Sequence, residues 1–448
     1  MNKGNVYIVH CIDAEGPLYE PIQATFDRIR NIFGYEFEPR RDILQKLQRA
    51  EIPLTEKNEK DVAIMLLESR IRNHSSFDQI EEMLDIICSD NFRQHLPDSK
   101  GNGWKYNWFC LDHVGFNGLN PRRRIAGYHS IFDFYIDKVK GSQDSIHWHY
   151  HPLPFTDNYN DSGYTYLNSS NIWEILARKI IERNWFPSAF RAGFHTERPD
   201  SNWFLEQWIP FDYSNQSTKN LKNSQPDLSE GRYGDWRHAP IDWYPYHPDH
   251  DDYQSIGNCR RWITRCLNID ARIREITQND VDDAFIRADF GNDAILAFCD
   301  HDFRDMEQDV NKMQKMIFNA KRKYMDVDYY YEDPISACRK ALNLKPIDPI
   351  LNCNLINFSR DKVLLDVYAQ NTIFGPQPFL AVEGFGNRFI WENFDKHSNS
   401  HWSFTFDNNN IPFESVKNIG IAANSPEGVT DVINITNNGK ISCFRYNS

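Results

Sequence analysis

Over roughly its first 340 residues the chain alternates short apolar runs with stretches of helical period. N-V-Y-I-V-H-C-I-D (5–13) is almost continuously apolar, the pattern of a strand covered on both faces. Q-A-T-F-D-R-I-R-N-I-F (23–33) and the long stretch 61–88 space their apolar residues as amphipathic helices do. The same alternation continues. W-K-Y-N-W-F-C-L-D (104–112), S-I-H-W-H-Y-H-P (145–152), F-P-S-A-F-R-A-G (186–193) and D-A-I-L-A-F-C-D-H-D (293–302) read as strands or strand ends. Residues 128–140, 169–184, 201–209 and 306–324 read as helices, with Ser170 as an N-cap. The segment 256–276 reads as a long, basic helix, and 215–252, poor in apolar runs, as a surface excursion. Strands that alternate with helices predict parallel pairing through helical crossovers, in a barrel or barrel-like sheet.

The pattern changes at L-K-P-I-D-P-I (344–350), where two prolines mark a linker. Period-two runs follow, among them K-V-L-L-D-V-Y-A-Q (362–370), F-L-A-V-E-G-F (379–385) and H-W-S-F-T-F-D (401–407), broken by Asn, Gly, Pro and Ser. They predict an antiparallel β-sandwich of roughly 100 residues. The expected organisation is an α/β domain over 1–344 and an all-β domain over 345–448.

Composition narrows the class. With 40% hydrophobic residues among 448, a large core is available. A formal charge of −13 argues against general binding to nucleic acid or anionic membranes. No window approaches the ~18 apolar residues of a membrane span, so no membrane insertion is expected. The start carries only the short apolar run Val6–Val9, so no secretory leader is expected either. Nine cysteines, scattered and never in a C-x-x-C pair, suggest reduced thiols and a cytoplasmic setting.

Chemistry concentrates where strands end, the place where barrel folds collect reactive groups. The first strand ends in Asp13 and Glu15, and a later one in His147, His149 and His151. Another ends in Arg191, and the last in Asp300, His301 and Asp302. If the histidine run is extended, its three imidazoles share a face; if it turns into a helix, His147 and His151 do. Imidazoles with a carboxylate suit a divalent metal, zinc first. Arg191 can hold a carboxylate, and an aspartate beside His301 can fix its tautomer. Trp148 and Tyr150, between the histidines, and Trp243 offer rings for a sugar to stack on.

The order of these motifs resembles the polysaccharide deacetylase superfamily, the metal-dependent sugar N-deacetylases with a distorted (β/α) barrel. The likeness rests on C-I-D-A-E-G-P, H-W-H-Y-H, F-R-A-G-F followed by S-N-W-F-L-E-Q-W-I and F-D-Y-S, and L-A-F-C-D-H-D. It implies that Asp13 is the base and Glu15 the metal carboxylate, with these two roles interchangeable because D-x-E replaces the usual adjacent pair. It implies His147 and His151 as ligands, with His149 extra. Arg191 would orient the base, and His301 would be the acid, oriented by Asp300, Asp302 or Asp212. The activity implied is hydrolysis of an N-acyl group on an amino sugar of a glycan or glycan precursor, in surface-polysaccharide assembly. The insertion at 35–100 argues against a standard polymer substrate. Two other readings use the same residues: a non-catalytic carbohydrate-binding or scaffold protein, favoured by 14% aromatic content, and a metal-independent hydrolase of a cyclic amide.

Overall fold

The computed structural model describes residues 3–112, 114, 127–153, 166–167, 169–219, 234–269, 275–359 and 362–447. Seven parallel strands form a closed ring: β1 (Asn5–Ala14), β2 (Asn107–Leu111), β3 (Ser145–Tyr150), β4 (Ala189–Ala192), β5 (Phe211–Asn215), β6 (Trp262–Asn268) and β7 (Ala294–His301). β1 closes it by pairing with β7 along Val6–Asp13 and with β2 along Cys11–Ala14. An eighth strand, β8 (Asp328–Tyr331), pairs with Asn5–Ile8 of β1, before the stretch that β2 takes. One flank of β1 is thus divided between two partners, which distorts the barrel.

Period-two alternation decides which residues face the ring. Tyr7, Val9, Cys11, Phe109, Phe211, Tyr213, Cys266, Ala297 and Cys299 fill it, with the helix Pro334–Ala341 packed against them. The other parity, including Val6, Ile8, Trp108, Leu296 and Phe298, packs beneath the surrounding helices. Covered on both faces, the strands carry the continuous apolar runs read from the sequence.

The tail forms two antiparallel sheets. Its strands are β9 (Leu351–Ser359), β10 (Lys362–Ala369), β11 (Phe379–Gly384), β12 (Arg388–Glu392), β13 (Asp395–Ser398), β14 (His401–Asp407), β15 (Val416–Asn424), β16 (Thr430–Thr436) and β17 (Ile441–Tyr446). One sheet runs β13-β14-β10-β9 and the other β12-β11-β15-β16-β17, with an apolar core between them. The second sheet rests on the helix Asn171–Arg183. Trp391 stacks on Trp173 at 4.1 Å, and Gly420 lies so close that a Cβ would sit 2.5 Å from Ile180. Asn424 donates to the carbonyls of Pro187 and Trp208. The sandwich therefore sits against the outer helix layer behind β3 and β4.

Two sequence readings are corrected. The supposed helix 256–276 contains β6 instead, and residues 270–274 lie outside the described ones. Arg261 and Arg265 are four apart, a spacing that returns to the same face of a helix and of a strand alike. Both are buried in ion pairs, with Asp212 and Glu197 and with Asp280 respectively. The excursion 215–252 is partly core: Trp236, Trp243 and Tyr246 are buried, single aromatics that form no run, while 220–233 lie outside the described residues.

Candidate metal centre

At the C-terminal rim the inward parity of β1 delivers Cys11 and then Asp13, and the chain beyond it Glu15. β7 lies in register, with Asp13 opposite His301, and on the far side His149 of β3 is level with Arg191 of β4. Four strand ends thus meet over the filled barrel.

Asp13 and Arg191 form a two-pronged ion pair, 2.7 Å from Nε to Oδ1 and 3.2 Å from Nη2 to Oδ2. Both side chains are buried. Arg191 Nη1 also donates to the carbonyl of Tyr213, and the Cys299 thiol lies 3.2 Å from Asp13 Oδ2. Burial on its own would raise the Asp13 carboxyl, but the Arg191 guanidinium, with His149 beside it, overrides that and holds it well below the usual carboxylate range. Asp13 is therefore an anion throughout the neutral range.

Glu15, His149 and His151 face one point. Their donor atoms are 3.0 Å apart (His149 Nε2 to His151 Nε2), 3.2 Å (His151 Nε2 to Glu15 Oε1) and 3.7 Å (His149 Nε2 to Glu15 Oε1). Ligands about 2.0–2.1 Å from a tetrahedral zinc stand roughly 3.3 Å from one another, so this triangle fits the ion. Its chemistry fits too. His149 Nδ1 lies 3.0 Å from the Arg191 carbonyl, which can only accept, so Nδ1 carries the proton and Nε2 turns its lone pair to the centre. Among the described residues this is the one group of three such side chains whose donors all lie within 4.8 Å of one another.

His301 completes the rim, its Nε2 4.0 Å from Asp13 Oδ2 and 3.9 Å from Glu15 Oε1. Burial pushes its imidazole down to about 4 against the pull of the two carboxylates, so it rests neutral. Local backbone serves the same cluster. A Cβ on Gly193 would lie 2.3 Å from the His151 ring, so the glycine of R-A-G is needed for that approach. Phe194 and His195 follow with φ of 51° and 52°, in the left-handed region, and the Phe194 ring meets His151 edge-on at 4.6 Å.

The structure thus brings together Asp13, Glu15, His149, His151, Arg191 and His301. It moves other expected residues elsewhere. His147 is not one of the converging set: it lies two residues deeper, with Nε2 2.7 Å from Ser145 Oγ and its ring against Phe109. On an extended strand the near pair is i and i+2, so the histidines at the centre are His149 and His151. Trp148 and Tyr150, of opposite parity, are buried in the helix layer with Trp208 and Phe204 and offer no surface for a sugar. Asp300 likewise points outward from β7. Its carboxyl is pushed well up by burial and by neighbouring Asp309, and it caps the His301 N–H rather than facing the rim. Asp212 belongs to the ion pair with Arg261 on the outer face of β5, not to His301. Trp243 lies at the opposite end of the barrel: its carbonyl accepts from Ile295 near the start of β7 and its indole donates to Asp280.

Asp302 is at the rim but holds peptide groups, those of Glu15 and Gly16, and the Tyr135 hydroxyl. Sequence reasoning did not single out Cys299, Gly16, Gly193, Phe194 or Tyr135. The glycines of D-A-E-G and R-A-G directly follow the strand-end motifs, and that adjacency was the signal available.

Comparison of the chain with protein-family models, with curated proteins and with solved structures finds no match. No helix among the described residues is long and apolar enough to cross a membrane. All nine cysteines are free thiols.

Proposed function

We propose that this rim is the centre of a metal-dependent hydrolase that removes an N-acyl group from an amino sugar of a glycan or glycan precursor. One observation carries the reading: a triangle of donors with zinc-like edges stands beside an ionised Asp13 and a neutral His301, each within 4 Å of the next. Glu15, His149 and His151 would hold the ion. Zinc, when bound, supplies an acidified water and polarises an acyl oxygen.

The protein's own groups do the rest. Arg191 keeps Asp13 ionised and fixes its plane, so that Oδ2, the oxygen facing His301, is the one placed to take a proton from the attacking water. His301 rests neutral, so the proton it passes to the departing nitrogen is one acquired during attack, across the 4.0 Å that separates it from Asp13. The resemblance in motif order supports an acylated amino sugar as the substrate class, and surface-polysaccharide assembly as the setting.

The test is turnover of N-acetylated amino sugars by zinc-loaded protein. Asp13→Asn and His301→Ala are each expected to lower kcat by about 10²- to 10⁴-fold. Unchanged turnover in both variants, or full turnover after the metal has been stripped, contradicts the proposal.

A further inference from the structure

Glu15 lies beyond the end of β1, on a turn, yet it has to present its carboxylate at a fixed distance from two histidines at the end of another strand. What holds that turn is Asp302. Its Oδ1 accepts the Glu15 N–H at 2.9 Å, and its Oδ2 accepts the Gly16 N–H at 2.8 Å and the Tyr135 hydroxyl at 2.9 Å. Asp302 is fully buried, and these three donors account for both of its oxygens. The turn has little freedom otherwise. Gly16 has φ +71°, and a Cβ there would meet Ile131 at 2.5 Å. Tyr135 is itself stacked on Trp108, at 4.5 Å and 19°. One step further along, the main chain of His74, from the insertion, bridges the same two loops: Leu18 donates to its carbonyl at 2.9 Å, and it donates to the carbonyl of Phe303 at 2.8 Å.

Asp302 directly follows His301. The clamp therefore ties the turn that carries Glu15 to the strand end that carries His301. We propose that Asp302 is a positioning residue which sets the Glu15 carboxylate as the third donor of the centre, at a fixed separation from His301. This rests on the metal-hydrolase reading above and adds a residue that touches neither ion nor substrate. The resemblance offers Asp302, alongside Asp300 and Asp212, as an orienter of His301; its hydrogen bonds run to Glu15, Gly16 and Tyr135 instead.

The test uses the full chain and Co²⁺ as the probe, read by its binding isotherm and visible absorption spectrum. Asp302→Asn keeps one accepting oxygen and turns an amide against a peptide N–H. It is expected to weaken Co²⁺ about 10- to 100-fold, the range for outer-shell residues, and to change the spectrum. Tyr135→Phe removes one of the three bonds and is expected to weaken Co²⁺ by a smaller factor, which keeps the idea testable should Asp302→Asn fail to fold. The control is Asp144→Asn, a carboxylate held by Arg93 and the Tyr106 N–H away from the rim, with Co²⁺ affinity expected at the wild-type value. Wild-type affinity and spectrum in both Asp302→Asn and Tyr135→Phe overturn the proposal, and so does an equal loss in Asp144→Asn, which would mark a general loss of stability. Absence of Co²⁺ binding by the wild-type chain overturns this inference together with the reading it rests on, whereas wild-type binding that both variants leave intact removes this inference alone.

Discussion

Two of the buried knots of charge in the barrel, those around Arg191 and Arg261, are built differently. At the rim, Arg191 serves one carboxylate, Asp13, and next to that pair two imidazoles and a second carboxylate converge on one another. On the outer side of β5 and β6, Arg261 serves two carboxylates and an amide. Its Nη1 donates to Asp212 at 2.8 Å, and its Nη2 to Glu197 and Asn202 at 2.8 Å each. Both guanidiniums are wholly buried. The second knot is closed. Burial pushes the Glu197 carboxyl well above the usual range despite Arg261, and Asp212 beside it pushes the same way, so a single guanidinium stands between two carboxyls. The rim instead gathers three donor atoms, from Glu15, His149 and His151, that could hold a metal ion. Buried charge therefore does not by itself mark a site; donors converging around a point do.

The largest effects should come from the arginines. Arg261→Met strands two buried carboxyls and is expected to cost about 3–5 kcal/mol in urea unfolding, the range for breaking a buried pair, while metal affinity per folded molecule stays at the wild-type value. Arg191→Met should cost a comparable amount and also lower turnover, because Asp13 loses both its plane and its charge. If Arg261→Met lowers metal affinity as much as Arg191→Met lowers turnover, the separation between the two knots is wrong.

A smaller effect divides the rim itself. His149→Ala and His151→Ala should each weaken zinc by at least about 100-fold in competition with a chromogenic chelator, more than outer-shell changes do. His147→Ala should leave zinc affinity unchanged and act on thermal stability alone, since its ring packs on Phe109. Equal losses in all three would return the centre to the H-x-x-x-H pair.

The smallest effect concerns pH and the closed knot. The folded Glu197 carboxyl sits above its unfolded value near 4.5, so the folded state binds the extra proton. Its stabilisation is fully present below the unfolded pKa and is lost as pH rises toward the folded one. Glu197→Gln mimics the protonated form. It should change stability at acidic pH by less than about 1 kcal/mol and flatten that part of the pH profile, measured by urea titration from acidic to neutral pH.

How much of this was legible follows from parity and period. β1 and β7 announced themselves because apolar runs stop at polar residues, and β3 and β4 through the histidines and the arginine they carry; the rim is drawn from those polar residues. β6 did not, because Arg261, just before it, and Arg265 within it are four apart. The same arithmetic explains the misplaced roles. Asp300 and His301 are neighbours on a strand and cannot both face inward, and His147 lies four residues from His151, a helical neighbour but a distant one on an extended chain. Parity along S-I-H-W-H-Y-H-P also sends Trp148 and Tyr150 to the core. What the chain alone could not reveal was contact between remote segments. Asp302 meets Glu15 across 287 positions, and Arg261 meets Asp212 and Glu197 across 49 and 64.

The central claim is where an ion sits. Anomalous diffraction at the zinc edge, from crystals grown with Zn²⁺, tests it most directly. The account predicts one strong peak about 2.0–2.2 Å from Glu15 Oε1, His149 Nε2 and His151 Nε2. A peak held by His147 and His151, or none between Glu15 and the β3 histidines, would contradict it.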